Sequence, residues 1–477
     1  MSFASPLFLW YFVPLVLAAV LVAPRGARNG IVAAASLVFY LIGAGATTLL
    51  LVVCMAVNYL AGMRLEPDEW DPRPGRRRLL LTWVLVFDVG MLVVWKYAGF
   101  ATAQLAALAG TLGGDFPVTH LVLPIGISFY TFHHISYVVD IYRGERPALR
   151  NPVSFVTYIA MFPQLVAGPI VRYREISDQL PQRRTHRLDD IAAGFPRFAL
   201  GLCKKVVIAD SLAPLVDACF ATPAGELTFA VAWLGAIAYT LQLYFDFSGY
   251  SDMAIGLGRM LGFRLPENFA RPYSSVTVTE FWRRWHMSLS RWFRDYVYFP
   301  LGGNRAGQGR TYRNLCVVFV LTGLWHGANW TFLVWGLFHG ALLIVERAYS
   351  LDRAPAAGWP RVGRRVLTMV LVVIGWVIFR APDLPQALTM IGHMLLPDFG
   401  GPSDLIADAL TNQRLLILLG AAVILFLPAH PVTGPMLESS RSRPAAALRV
   451  GVMTVGLAYA AILVATGTFS PFLYYQF

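Results

Sequence analysis

The stretch NLCVVFVLTGLWHGANWTFLVWGLFHGALLIVE, residues 314–346, contains no Lys or Arg over 33 residues. Apolar content sustained over that length predicts helices embedded in a membrane. An ionisable side chain at membrane depth is costly, and it usually lines a cavity or takes part in chemistry. His326, between Trp325 and Gly327, is therefore the first candidate for a functional residue.

The rest of the chain has the composition of a membrane protein. Of its 477 residues, 57% are apolar and 14% are charged, whereas about a quarter are charged in a typical soluble domain. Apolar runs of nearly ~20 residues recur along the whole length. The sequence therefore predicts an all-α polytopic membrane protein, with residues 1–477 forming one membrane domain.

The distribution of basic residues predicts the topology. The net charge of +12 comes from Arg-rich segments between apolar runs, such as 197–205 and 259–313, which should face the cytoplasm and attract anionic lipid. No nucleic-acid partner is expected. The turn 217–226 and the acidic stretch 381–413 should face outward. The first apolar run has no basic residue before it, so we read it as a retained helix, and both termini are predicted outside.

Two segments are too short for simple crossings. The stretch 314–346 divides into halves of about 16 residues, or ~24 Å each, which is less than a ~30 Å hydrocarbon core. His326 should then lie within the membrane. The second segment, FPQLVAGP (162–169), contains two prolines and a glycine, and we interpret it as a re-entrant segment that lines a cavity.

A basic amphipathic helix is predicted at the cytoplasmic interface. In EFWRRWHMSLSRWFRDYVYF (280–299), aromatic and Leu side chains recur at helical spacing, and the basic residues fall largely elsewhere. Arg side chains in such a helix either anchor it to lipid or bind an anionic substrate. The candidates are Arg283, Arg284, Arg291 and Arg294.

His326 has neighbours that suit acid–base chemistry. Continued as a helix, the chain would place Asn329 and Trp330 on the same face as His326. A neutral imidazole in an apolar site could act as a general base on a hydroxyl, with Asn329 or Trp325 as a hydrogen-bond donor. The alternative is a histidine that only bridges helices through a hydrogen bond.

Other titratable residues have weaker signals. His286 follows Trp282 by one helical turn and precedes Asp295 by nine residues, and taken alone it is better explained as structural. Asp246 and Asp252 in YFDFSGYSD could bind substrate, although that turn also supplies its own hydrogen-bond partners. The histidines lack metal-ligand spacing, so no metal is expected. Motifs of ATPases, serine hydrolases and dinucleotide-binding proteins do not occur.

Six stretches occur in a recognisable order along the chain. They are PIGISFYTFHHISYVVDIYRG (124–144), FPQLVAGPIVRY (162–173), YFDFSGYSDMAIGLG (244–258), LPENFARPY (265–273), FWRRWHMSLSRWFRDYVYFPLGGNR (281–305) and LTGLWHGANWTFLVWGLFHG (321–340). Together they resemble the membrane-bound O-acyltransferase family, and specifically its branch that O-acetylates alginate. The resemblance covers essentially the whole chain, including the terminal PFLYYQF (471–477).

The resemblance implies a fold and an activity. The fold would be a ring of about eleven transmembrane helices, with re-entrant and interfacial helices, around a central tunnel. His326 matches the catalytic histidine of the family and His286 its second motif histidine. Residues 1–120 would form N-terminal helices, 121–347 the catalytic core and 348–477 C-terminal helices.

The resemblance also implies partners in a bacterial inner membrane. The donor would be acetyl-CoA or another cytosolic acetyl source, with no cofactor held permanently. Independently of the resemblance, the phosphates of acetyl-CoA need cations, which the four arginines could provide. The acetyl group would pass to a periplasmic SGNH-type partner and then to a polysaccharide. Peptidoglycan O-acetylation and D-alanyl transfer to teichoic acid are the alternatives within the family. A polysaccharide transporter or flippase is an alternative of another class, which should show repeated halves; we find none.

Overall fold

The fold is known from a computed structural model that describes residues 3–67, 74–181, 187–305, 307–355, 357–397, 400–401, 404–426, 433–440, 442–467 and 472–473. Across those residues helix is the only regular secondary structure, which confirms the all-α prediction. The chain forms two compact units, residues 1–195 with 254–266, and residues 196–253 with 267–477.

In the described residues the first unit contains eight helices, the beginning of a ninth, and the last residues, 254–260, of α11 (Phe229–Met260). The first nine are α1 (Val13–Val22), α2 (Arg28–Ala44), α3 (Thr48–Leu65), α4 (Pro74–Thr111), α5 (Ile127–Tyr142), α6 (Pro152–Ala160), α7 (Phe162–Leu165), α8 (Tyr173–Ile176) and the start of α9 (Arg187–Cys203). Helices α3, α4 and α5 pack against one another, and α2 packs on α6. A buried hydrogen bond of 2.8 Å from Asn58 Nδ2 to Asp88 Oδ1 joins α3 to α4.

The helix break predicted in FPQLVAGP is present in the first unit. Helix α6 ends at Ala160, the four-residue α7 follows, and the chain from Val166 to Arg172 is irregular but buried. A Cβ on Gly168 would lie 2.4 Å from the carbonyl oxygen of Pro163, so only glycine fits this tight turn. The re-entry of this segment into a membrane stays a prediction.

The second unit contains the end of α9, α11 up to residue 253, and the remaining helices. They are α10 (Asp210–Ala221), α11 (Phe229–Met260), α12 (Val278–Arg284), α13 (Met287–Phe293), α14 (Gln308–His326), α15 (Trp330–Ala348), α16 (Trp359–Arg380), α17 (Leu384–Leu395), α18 (Asp404–Ala409), α19 (Asn412–Phe426), α20 (Thr433–Ser439), α21 (Arg443–Gly451) and α22 (Leu457–Ala465). Helices α14 and α15 form an extensively packed hairpin, and α16 lies against α15.

The basic cluster 197–205 does not lie in a short loop, contrary to the charge map. A π-helical turn, Lys204–Ala209, links α9 directly to α10, so the chain is helical from Arg187 to Ala221. Arg197 and Lys205 are buried there, at 1% and 2% exposure. Their charges are neutralised by carboxylates of the same unit, a pairing that a count of charges along the sequence does not reveal.

The hairpin that carries His326 is longer than predicted. Its arms, α14 and α15, have 19 residues each, or about 28 Å at 1.5 Å per residue. The predicted arms of about 16 residues were too short because the helices continue past the ends of the Lys- and Arg-free run. His326 consequently lies at the turn of the hairpin.

The helices include several that are long and apolar enough to cross a bilayer. In the described part of the chain there are five such segments, Arg28–Leu65, Gly75–Thr111, Trp330–Ala348, Trp359–Arg380 and Arg443–Ala465. They support a multi-pass membrane protein. The number of about eleven spans stays a prediction, as does the division at residues 120 and 347.

Candidate active site

His326 is the last residue of α14, at the turn that connects this helix to α15. Gly327 is extended, with φ −164° and ψ 160°, and it ends the helix. Asn329 then begins the next helix, because its side-chain oxygen accepts a hydrogen bond of 3.1 Å from the backbone N–H of Thr331. The imidazole of His326 is only 6% exposed. A catalytic candidate is thus buried at a helix end.

Two glycines allow α14 and α15 to approach closely near this turn. A Cβ on Gly323 would lie 2.3 Å from the carbonyl oxygen of Phe332, and a Cβ on Gly336 would lie 2.3 Å from that of Phe319. Both distances are far below van der Waals contact, so any larger residue would push the helices apart. The glycines therefore set the position of the turn and of His326.

Aromatic rings surround the imidazole of His326. The ring centroids of Trp335, Phe379 and Trp325 lie 5.0, 5.1 and 5.1 Å from that of His326. Each pair is close to perpendicular, the edge-to-face geometry that aromatic rings favour. Walls of this kind exclude bulk water, and they fix the plane of the imidazole.

Asn329 and Trp330 do not share a helical face with His326, so that prediction was wrong. The helix ends at His326, and the extended Gly327 redirects the chain. The side-chain Nδ2 of Asn329 donates a hydrogen bond of 2.8 Å to the carbonyl oxygen of Pro382. The amide therefore holds the turn in place, and one of its two amide hydrogens is left for another acceptor.

His286 lies at a break between α12 and α13, where a continuous amphipathic helix was predicted. Its backbone is left-handed, with φ 43° and ψ 53°, a conformation that costs a non-glycine residue roughly 1–2 kcal/mol. The predicted helix is wrong because His286 turns inward, to 1% exposure. The helices on either side of His286, α12 and α13, have seven residues each and are too short to span a bilayer. Burial lowers the pKa of His286 to about 3, so its imidazole is neutral.

Trp325 brings the two histidines into one cluster. Its ring centroid lies 5.1 Å from that of His326 and 6.1 Å from that of His286. Phe247, from the stretch YFDFSGYSD, packs edge to face on His286 at 4.6 Å. The structure therefore joins two histidines that are 40 positions apart in the sequence, which is the spatial grouping that a shared site needs.

The carboxylates of Asp246 and Asp252 are engaged in ion pairs. Asp246 lies 2.6 Å from Lys205, and its other oxygen accepts a hydrogen bond of 3.1 Å from the backbone N–H of Leu473. Asp252 lies 2.6 Å from Lys204, and its other oxygen lies 3.1 Å from Arg197. These contacts account for both carboxylates as structural groups, so a substrate-binding role for either stays a prediction.

Arg283 and Arg284 lie at the end of α12. Arg283 is exposed. Arg284 pairs with Glu280 at 2.6 Å and donates a hydrogen bond of 2.8 Å to Ser274 Oγ. Arg283 is therefore more accessible to an anionic substrate than Arg284.

Arg291 and Arg294 also bind groups of their own chain. Arg291 donates a hydrogen bond of 3.0 Å to the backbone carbonyl of Glu267. Arg294 pairs with Asp295 at 2.8 Å, and about half of its side chain is exposed. The binding of a donor phosphate by these arginines stays a prediction. A phosphate bound to Arg294 would compete with Asp295 for the guanidinium.

Sequence reasoning missed one residue of this site, Asn268. Its side chain contacts His286, whose Nδ1 lies 3.2 Å from Asn268 Oδ1. Asn268 belongs to the stretch LPENFARPY, which was noted only for its resemblance. An Asn among polar residues between two apolar runs carries no local signal of its partner, because the two residues meet only through the tertiary fold.

Comparison with known proteins identifies the family of this chain. The profile of the membrane-bound O-acyltransferase family matches residues 145–363. The probable alginate O-acetylases of Azotobacter vinelandii and Pseudomonas putida are 44% and 43% identical, each with 100% of both chains covered. The peptidoglycan O-acetyltransferase of Helicobacter pylori is 36% identical, over 82% of this chain and 79% of that protein. Relatives named for teichoic acid D-alanyl transfer are more distant.

These matches define the class of the protein. Relatives covered over their full length at more than 40% identity are enough for assignment. The chain belongs to the membrane-bound O-acyltransferase family. It is an O-acyltransferase, as the sequence predicts, and a multi-pass membrane protein.

Proposed function

We propose that this protein moves an acetyl group from acetyl-CoA in the cytosol, through a tunnel in an inner membrane, for O-acetylation of an exported polysaccharide such as alginate. The single observation that carries the proposal is the buried cluster in which Trp325 joins His326 to His286. The names of the full-length relatives support the acetyl group and the polymer.

His326 is the proposed general base. Its imidazole removes the proton of the acceptor hydroxyl while that oxygen attacks the thioester carbon. The C–S bond breaks, and the CoA thiolate takes the proton back from His326. An N–H of Trp325 or the second amide hydrogen of Asn329 would stabilise the oxyanion. In a variant of this route, His326 itself carries the acetyl group before passing it to the hydroxyl.

His286 is the proposed second catalytic residue. Its position beside Trp325 and its neutral imidazole suit a proton acceptor or a hydrogen-bond partner for donor or acceptor. The donor phosphates would meet Arg283, Arg284, Arg291 and Arg294 at the cytoplasmic side. Asp246 and Asp252 would not bind the substrate directly. Their ion pairs with Lys205 and Lys204 would only help to shape the substrate path.

The acceptor side of the reaction needs a partner. We propose that an SGNH-type acetyltransferase outside the membrane receives the acetyl group and completes its transfer to the polysaccharide. Both termini would lie on that side, in accord with the charge pattern. Peptidoglycan is the competing acceptor, supported by the relative in Helicobacter pylori.

The test measures donor chemistry directly. Purified protein supplied with radiolabelled acetyl-CoA should release CoA and pass label to the partner or a polymannuronate acceptor. We expect His326→Ala to reduce this transfer by at least about a hundredfold. His120→Ala, at an exposed position, is the matched control and should transfer normally. Undiminished transfer by a folded His326→Ala protein would exclude the mechanism, and preference for peptidoglycan fragments would exclude the proposed acceptor.

A further inference from the structure

The side-chain amide of Asn268 has a defined orientation. The backbone N–H of Ser288 can only donate a hydrogen bond, and it lies 3.2 Å from the Asn268 atom assigned as Oδ1. The hydroxyl of Ser288 donates to the same atom at 2.8 Å. Asn268 Nδ2 donates to Ser251 Oγ at 3.1 Å. The atom that faces Ser288 and His286 is therefore the oxygen.

That orientation determines which nitrogen of His286 carries a proton. Nδ1 lies 3.2 Å from Asn268 Oδ1, and the oxygen is only an acceptor, so Nδ1 must be the donor. A neutral imidazole protonated at Nδ1 has its lone pair at Nε2. Nε2 is buried, and within the described ranges no side chain or backbone group forms a hydrogen bond to it.

We propose that Asn268 is a positioning residue that holds His286 as the Nδ1–H tautomer, so that Nε2 is a hydrogen-bond and proton acceptor for a substrate hydroxyl or thiol. The proposal rests on the function proposed above for the histidine pair. In this proposal Nε2 of His286 accepts the proton or hydrogen bond. Asn268 does not touch the substrate and acts only by fixing the tautomer of the His286 ring.

The backbone around Asn268 is held from two sides. The preceding residue, Glu267, receives two hydrogen bonds from Arg197, at 2.6 and 2.5 Å. The carbonyl of Asn268 accepts a hydrogen bond of 2.9 Å from the backbone N–H of Met287, directly after His286. A bidentate pair to a guanidinium that is 1% exposed has little freedom. These contacts fix the amide relative to the ring.

Without the acceptor oxygen of Asn268, His286 should no longer be held as the Nδ1–H tautomer. The two neutral tautomers of an imidazole are similar in energy, so a ring without a fixed partner populates both. In the Nε2–H form, Nε2 is a hydrogen-bond donor and cannot accept a proton. A tautomer set by a neighbouring side chain is a known determinant of histidine catalysis.

The tautomer can be observed without any activity assay. Full-length protein labelled with ¹⁵N at histidine should show, in membranes, a signal pair of an Nδ1–H imidazole that disappears in His286→Gln. We expect Asn268→Leu to replace that pair with a mixture that includes the Nε2–H form. Asn58→Leu removes another buried amide of the same chain and should leave the His286 signals unchanged. An Nε2–H signal for His286 in the unmodified protein would overturn the proposal.

The rate and its pH dependence give a second readout. Asn268→Leu should lower kcat for acetyl transfer at least about tenfold with little change in the KM for acetyl-CoA. Asn268→Asp keeps an acceptor but adds a negative charge, which favours the imidazolium and raises the pKa of His286. Because the neutral ring is the active form, the acid limb of the pH profile should move to higher pH. An unchanged rate and profile in both folded variants would contradict the proposal.

The outcomes separate this proposal from the function on which it rests. If His286→Gln transfers acetyl at the full rate, the proposed role of His286 is wrong, whatever the NMR signals show. If His286→Gln is inactive but Asn268→Leu is fully active, the histidine is needed and the positioning role is wrong. Melting temperatures of all variants, measured in the same detergent, show which of them are folded.

Discussion

At the scale of the residue, the candidate catalytic residue His326 lies buried at the end of a helix. The residue closes α14, and the extended Gly327 ends the helix there. Trp335 and Phe379 supply apolar walls around the imidazole. The sequence indicated the importance of His326 from its setting, but the walls come from other helices, so their identity depended on the tertiary structure.

Asn329 offers a test of residue roles at this turn. Asn329→Asp retains the oxygen that caps α15 and loses the donor to Pro382, so we expect near-normal stability and acetyl transfer within a few-fold of normal. Asn329→Ala loses both hydrogen bonds and should lower the free energy of unfolding by about 1 kcal/mol. Thermal unfolding and labelled-acetyl transfer are the measurements. A folded but inactive Asn329→Asp protein would instead identify Asn329, and not Trp325, as the oxyanion donor.

At the scale of the element, the α14–α15 hairpin depends on close packing between its two arms. Gly323 and Gly336 face backbone carbonyls across the interface. Small residues are common where membrane helices cross. Lipid is as apolar as the side chains, so the hydrophobic effect does not drive helices together, and close van der Waals packing of the backbones does so instead. The same packing sets where the turn lies, and the turn carries His326.

Gly336→Ala should therefore disturb both stability and activity. The added methyl would meet the carbonyl oxygen of Phe319 at 2.3 Å, and overpacking of this kind costs about 1–3 kcal/mol. We expect a lower melting temperature and reduced transfer, because the arms separate and His326 moves. Gly420→Ala in α19 is the control, since no atom lies within 4 Å of its Cβ position. Equal behaviour of the two variants would show that the hairpin tolerates separation.

At the scale of the whole molecule, topology remains a prediction from charge. The pattern places the turn around Gly225 outside and the start of α14 around Gly309 in the cytoplasm. Neither glycine has an atom within 4 Å of its Cβ position, so both accept a cysteine. In a background without the four native cysteines, an impermeant maleimide should label Gly225→Cys in intact cells and Gly309→Cys only after the inner membrane is permeabilised. Labelling of Gly309→Cys in intact cells would reverse the assigned orientation.

Much of the fold follows from local patterns along the chain. Apolar length predicts the long helices, Pro163 and Gly168 predict the break in the first unit, and the setting of His326 predicts a site. These features depend on neighbours in sequence: backbone hydrogen bonds form within four residues, and the cost of burying charge applies to each segment separately. The family resemblance adds the activity, and the comparisons confirm it.

The sequence by itself determined the membrane class and the helical content, and it singled out His326 as the candidate catalytic residue. Only the tertiary structure decided that His286 turns inward at a left-handed break, that Asn268 contacts its ring, and that Asp246 and Asp252 pair with lysines. The physical reason is distance along the chain. An ion pair or a tautomer depends on a partner many residues away, and the energy that selects the partner exists only after the helices have packed.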